Sequence, residues 1–158
     1  MTPLELVVAR AAAGRGLWIG AFEATGLHVT LAHLGKKKDG SRAERAAEAC
    51  QRVAAQHGKP IKAQTWGQAR LDQYAGCVSV LLLESADLYI LRTRIVEELW
   101  KQAVQTDRSF AFHPHLTVAR HGKDEPVTLL RRARQSVVFP ALSLVCGAEP
   151  VDYPLGPA

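Results

Sequence analysis

The 158-residue sequence predicts a single α+β domain built from two pseudo-symmetric halves with largely antiparallel sheets. Three observations point there. Residues 28–36 read HVTLAHLGK and residues 115–123 read HLTVARHGK, so the frame H-x-T-[LV]-A-x-x-G-K occurs twice, in register. A duplicated frame with one copy in each half signals duplicated structure rather than a solenoid, which needs three or more units. Each copy is followed by a Gly-Lys turn and a helix-forming stretch, and no linker or low-complexity segment divides the chain. The remaining strand patterns often follow one another directly, as antiparallel sheets require.

The elements follow in order. Thr2-Pro3-Leu4-Glu5 has the form of a capping box, although Leu6-Val7-Val8 suits a strand equally well, and this segment stays open. Leu17 to Phe22 reads as a strand, Thr25-Gly26 as a turn and Leu27 to Leu34 as the first motif strand. A polar loop at 36–40 leads to Ser41, which is expected to cap a helix running to His57, with Gly58 as its stop. Ile61 to Trp66 is a strand, 67–76 a polar hairpin or loop, and Cys77 to Glu84 a buried strand. Ser85 caps the next helix, whose Leu88, Leu91, Ile95 and Leu99 recur at helical spacing. Phe110 to Arg120 holds the second motif strand, Val127 to Gln135 a short helix, and Val137–Phe139 and Leu142–Val145 two closing strands. The Pro/Gly-rich tail from Gly147 is expected to follow the surface or fray.

Composition narrows the function classes. Hydrophobic residues make up 47% and charged residues 22%, the balance of an ordinary globule. No apolar run approaches a membrane span, and the first residues lack the pattern of a signal peptide, so a cytoplasmic protein is expected. Cys50, Cys77 and Cys146 are odd in number and widely spaced, which speaks against a disulfide framework or a structural zinc site and for free, buried thiols. The net charge of +5 gathers partly at 36–38 and 131–134. It suits a phosphate-bearing ligand or simply a solvated surface.

The chemistry lies in the repeated frame. Alternate side chains of a strand share a face. His28 with Thr30, and His115 with Thr117, therefore point away from the aliphatics between them. Two halves paired about a pseudo-twofold axis would bring two His and two Thr to one cleft. One imidazole can take a proton from an attacking hydroxyl or water while the other protonates the leaving oxygen. The Thr hydroxyls can donate to non-bridging phosphate oxygens as charge grows there. No metal or other cofactor is needed. A zinc site built from His28, His113 and His115 is the competing arrangement, but no acidic or Cys ligand stands at a familiar spacing.

At these residues, HVTLAHLG and FHPHLTVAR, the chain resembles the 2H phosphoesterase superfamily, and more closely its bacterial RNA ligase-like, RNA 2′,3′-cyclic phosphodiesterase branch. The resemblance spans roughly residues 17 to 146 and is strongest at the second motif. It implies a bilobal fold, two antiparallel sheets facing a central cleft with helices outside and one H-x-T strand in each lobe. It also implies metal-independent chemistry on phosphodiesters that involve a ribose 2′ oxygen. Carried over by position, His28 and His115 form the acid–base pair, Thr30 and Thr117 the phosphate donors, and Arg120 a further phosphate ligand. Two departures stand out. Family members commonly carry a helix between the first strand and the first motif, whereas only 23–26 intervene here. Arg120, and His33 at the matching position of the first repeat, fall on the wrong face under strict alternation unless the strands end or bulge.

His113 shares the catalytic face by parity, although Pro114 can break the strand. Trp66, Tyr74 and Phe112 are candidate base-stacking residues, or else core and cleft wall. The leading expectation is a hydrolase of 2′,3′-cyclic phosphate RNA ends or related nucleotides. A phosphodiesterase of 2′–5′-linked or cyclic oligonucleotide messengers in defence or phage counter-defence is the second. A nucleotide or RNA-end binding module without turnover is the third. RNA ends or small, including cyclic, oligonucleotides are the expected partners, with no membrane and no obligate protein partner.

Overall fold

The structure, a computed structural model, describes residues 16–22, 27–36, 40–73, 76–106, 111–121, 134–146 and 150–156. The elements run β1 (Gly16–Phe22), β2 (His28–Lys36), α1 (Gly40–His57), β3 (Ile61–Gln73), β4 (Gly76–Glu84), α2 (Ala86–Lys101), β5 (His115–His121), β6 (Ser136–Phe139), β7 (Ala141–Cys146) and β8 (Pro150–Pro154). They form two four-stranded sheets of order β2-β1-β7-β8 and β5-β4-β3-β6, antiparallel at every pairing. The two copies of the repeated frame are the edge strands β2 and β5, one per sheet, and these edges approach one another. The sequence duplication is thus a duplication of position.

The helices cover the sheets and touch each other. α1 packs on β7 and β8, and α2 on β3 and β2. The buried face of α1 is built from Ala46, Ala49, Cys50, Val53 and Ala54, small residues that let a helix lie close to a sheet. Gly58, at φ +69°, ends α1 and donates its N–H to the Ala54 carbonyl at 3.2 Å. Ser85 caps α2 as its sequence predicts: its hydroxyl accepts from Leu88 N at 3.3 Å and donates to the Lys62 carbonyl at 2.8 Å. Leu88, Leu91, Ile95 and Leu99 are fully buried. Arg45 and Arg42 of α1 donate to the carbonyls of Gln102 and Gln105, each at 3.0 Å, tying α1 to the segment that follows α2. Among the described residues no helix is long and apolar enough to cross a membrane.

Several expectations are sharpened or corrected. Of the two readings of 67–76, hairpin or loop, the structure takes the hairpin. β3 runs on to Gln73 and pairs with β4 as far as Gly76, because backbone pairing rather than apolar patterning holds this ribbon. The stretch expected to hold the second motif strand does so, with the strand itself running from His115 to His121. Pro114 has no N–H to extend the ladder, though its carbonyl accepts from Leu83 N at 3.0 Å. The tail does not fray: β8 pairs with β7, and Leu155 behind it is fully buried and donates its N–H to the Pro140 carbonyl at 2.9 Å. Ser41 lies inside α1, which begins at Gly40. The segment 1–15 and most of the expected helix from Val127 lie outside the described residues, while Gln135 at its end is not helical. Cys50 and Cys77 are buried thiols, and burial pushes the Cys50 thiol up to about 12, which keeps it protonated and unreactive.

Candidate active site

On β2, Val29 and Leu31 are buried while His28 and Thr30 are half-buried; on β5, Leu116 is fully buried while His115 and Thr117 are half-buried. Alternation thus puts each His-Thr pair on the face away from the core, and where the two edge strands approach, His28 and His115 come within electrostatic reach of each other. Their proximity has an electrostatic consequence. His28 is held down to about 4, first by burial, which disfavours its charged form, and then by the charges of His115 and His33. His28 is therefore neutral at neutral pH.

His115 is oriented from behind. Its Nδ1 lies 2.7 Å from the His113 carbonyl oxygen. A carbonyl only accepts, so Nδ1 carries the proton and Nε2 is the nitrogen left for chemistry. His113, expected on the catalytic face, thus meets the site through its backbone: its side chain is exposed and it precedes β5.

Strict alternation fails one residue after each Thr, in the same way in both strands. Gly20 pairs with Thr30 and Ile19 with Ala32, which leaves Leu31 as an extra residue. Val80 pairs with Thr117 and Ser79 with Ala119, which leaves Val118 as an extra residue. Each is a β-bulge, where two residues oppose one and the alternation resets. Leu31 and Ala32 are accordingly both buried. Beyond the bulges, His33 pairs with Trp18 and Arg120 with Val78. Trp18 and Gly20 are two apart on β1, as are Val78 and Val80 on β4. The register of His33 therefore falls on the face of Thr30, and that of Arg120 on the face of Thr117. The register mismatch that strict alternation predicts at positions 33 and 120 is removed, and the exposed His33 joins the charges acting on His28. A signal for the bulges is present in the sequence: both frames place two apolar residues in succession after the Thr, Leu31-Ala32 and Val118-Ala119.

The aromatic candidates separate. Phe112 packs against the core, in edge contact with Tyr89 at 5.3 Å between ring centroids and with the Arg92 guanidinium 4.9 Å from its centroid. Trp66 is 58% exposed and lies outside the core. Tyr74 lies outside the described residues. Among the described residues no three His, Cys, Asp or Glu side chains gather as a metal site.

The family model described as the 2′-5′ RNA ligase superfamily matches residues 8–151 of this chain. No curated protein matches it. Among solved structures, TT0787 of Thermus thermophilus superposes with a TM-score of 0.60 at 18% identity, covering 89% of this chain and 94% of that one. Escherichia coli LigT, solved in complex with NADP+, gives 0.58 at 16% identity with the same coverage, 89% and 94%. LigT has also been solved with 3′-AMP. The MHV ns2 PDE domain gives 0.54 at 20% identity over 79% of each chain. At these identities the likeness is one of fold.

Proposed function

The chain belongs to the 2′-5′ RNA ligase superfamily, within the 2H phosphoesterases, and on that footing we propose that it is a metal-independent phosphodiesterase that hydrolyses 2′,3′-cyclic phosphate ends of RNA or related nucleotides. Membership supports phosphodiesterase-type activity. The observation that carries the finer reading is the electrostatic pairing of His28 with His115 on abutting edge strands. LigT, which shares the fold, has been solved with nucleotides, and that supports a nucleotide substrate here.

Neutral His28 is the general base and His115 the general acid. Water attacks phosphorus and gives its proton to His28. A new P–O bond forms to the water oxygen while one bond from phosphorus to a ribose oxygen breaks, and the departing oxygen takes the proton from His115 Nε2. His28 ends protonated and His115 neutral, and exchange with solvent restores both. Thr30, Thr117 and Arg120 donate to the non-bridging oxygens, where negative charge accumulates in the transition state. Each acid–base contribution of this kind is worth about 10²–10⁴-fold.

The test is a substrate panel in excess EDTA: 2′,3′-cyclic mononucleotides, an RNA with a cyclic-phosphate end, 2′–5′ oligoadenylate, and cyclic di- and trinucleotides. Each substrate is assayed beside the His28→Ala/His115→Ala double variant. Turnover of the 2′,3′-cyclic substrates that survives EDTA and vanishes in the variant is expected. Turnover confined to 2′–5′ or cyclic oligonucleotides would move the substrate to messengers. Binding with no turnover anywhere would make the protein a binding module.

A further inference from the structure

A second feature stands beside the His-Thr set. A cavity of about 540 Å³ opens at the rim of the second sheet, where β4 hands over to α2. Its walls include Trp66, Leu83, Glu84, Tyr89 and Arg134. The volume lies in the range of small-ligand sites, about 300–1,000 Å³. Trp66 and Tyr89 are 58% and 49% exposed, so two large rings line the cavity while remaining open to solvent.

The cavity is fixed in relation to the proposed acid. His115 pairs with Leu82, and Leu82 pairs across β4 with Gly67, the residue next to Trp66. Trp66 is itself the extra residue of a bulge, since Thr65 pairs with Leu83 and Gly67 with Leu82. One residue further along β4, Leu83 lines the cavity and donates its N–H to the Pro114 carbonyl, next to His115. Glu84 stands two residues beyond Leu82, about 7 Å at the rise of a strand. Arg134 is placed by a reciprocal pair of hydrogen bonds from its neighbour: Gln135 N donates to Thr65 Oγ1 at 2.8 Å and Thr65 N donates to the Gln135 carbonyl at 2.9 Å. Arg134 then lies 4.0 Å from the Glu84 carboxylate, both side chains largely exposed.

Two exposed rings, a guanidinium and a carboxylate, one nucleotide's reach from a proposed phosphate site, make a composition that suits a nucleotide better than a purely apolar ligand. Bases stack on aromatic faces regardless of sequence, a guanidinium holds phosphate, and a carboxylate accepts from base N–H groups. Glu84 disfavours a phosphate laid directly on it, so the phosphate sits on the Arg134 side and the base lies between Glu84 and the rings. We propose that this cavity binds the nucleotide adjoining the terminal cyclic phosphate, so that the preferred substrate is an oligonucleotide end and a mononucleotide fills only half of the site. This rests on the phosphodiesterase reading above and narrows its substrate.

The test compares kcat/KM for a 2′,3′-cyclic mononucleotide with that for a dinucleotide ending in a 2′,3′-cyclic phosphate, in the wild type, Trp66→Ala, Trp66→Phe and Arg134→Ala. A binding assay with fluorescein-labelled ApA 3′-phosphate runs alongside. The wild type should favour the dinucleotide. The dinucleotide-to-mononucleotide ratio should fall about tenfold or more in Trp66→Ala, as loss of one stacked base predicts, and recover in Trp66→Phe. Affinity for the labelled probe should fall in parallel in Trp66→Ala and Arg134→Ala. A ratio and a probe affinity that both ignore Trp66 would overturn the proposal. Probe binding that depends on Trp66 in a protein turning over neither substrate would keep the cavity assignment and remove the phosphodiesterase reading. Absence of both turnover and probe binding would remove both.

Discussion

His28 ties the site to the stability of the fold, and the size of that link can be worked out. Its imidazole is held at about 4 instead of 6.5 by burial and by the neighbouring His115 and His33 charges. In the unfolded chain it takes up a proton as the pH falls below about 6.5, whereas the folded protein resists until about 4. The unfolded state thus binds more protons in that window, so stability is fully present above it and drains away as the pH falls through it. Between pH 7.5 and pH 5 the loss amounts to roughly 2 kcal/mol for this one group, and solvent screening at a half-buried site brings it to about 1 kcal/mol. His28→Gln keeps a polar side chain and removes the titration. Urea unfolding of the wild type and His28→Gln at both pH values isolates this contribution, because the buried His57, also shifted down by desolvation, is common to both proteins. The wild type should lose about 1–2 kcal/mol more than the variant on acidification. Equal losses would mean that His28 is not held neutral, and the assignment of the general base would fall with it.

Three further outcomes are expected. Deleting Val118 removes the extra residue of the β5 bulge and returns Arg120 to the opposite register, so kcat/KM should drop on the order of 10²-fold with an unchanged far-UV circular dichroism spectrum; undiminished turnover would show that the bulge serves no purpose in the site. Gly156 sits at φ +126°, and a Cβ there would overlap the Gly58 carbonyl, so Gly156→Ala should cost about 2–3 kcal/mol in urea unfolding, while a change below about 0.5 kcal/mol would contradict the packing of the tail. Ile95→Ala empties a fully buried position on α2 and should cost about 2–5 kcal/mol by the same assay, with a negligible change arguing that α2 is packed otherwise.

Much of this arrangement is legible in the residues, for identifiable reasons. The His-x-Thr frame declares its strands because alternation with buried aliphatics is a local property, and α2 declares itself because Ser85 and its four-residue apolar stripe are local too. What pairing decides is less visible. The far half of β3 carries Gln68, Arg70 and Asp72, which read equally as hairpin or loop, and it is a strand because β4 supplies its hydrogen-bond partners. β8 is hidden in the same way among prolines at both of its ends, although the buried Leu155 behind it is a tethering signal. For the site, parity alone assigns His28, Thr30, His115 and Thr117 to one kind of face but misplaces Arg120 and His33. Bulges reset parity, and only the double apolar step after each Thr hints at them. The rim cavity is half visible in the sequence, in Trp66 alone. Glu84 and Tyr89 are near neighbours in sequence, but Trp66 and Arg134 join them only through the tertiary fold.

The two-histidine mechanism is tested most directly by kcat/KM on a 2′,3′-cyclic nucleotide end in excess EDTA, for the wild type, His28→Ala and His115→Ala. The wild type should turn over undiminished by the chelator, and each variant should fall about 10²–10⁴-fold while still binding the product nucleotide. Loss of wild-type turnover in EDTA, or full activity in either variant, would contradict it.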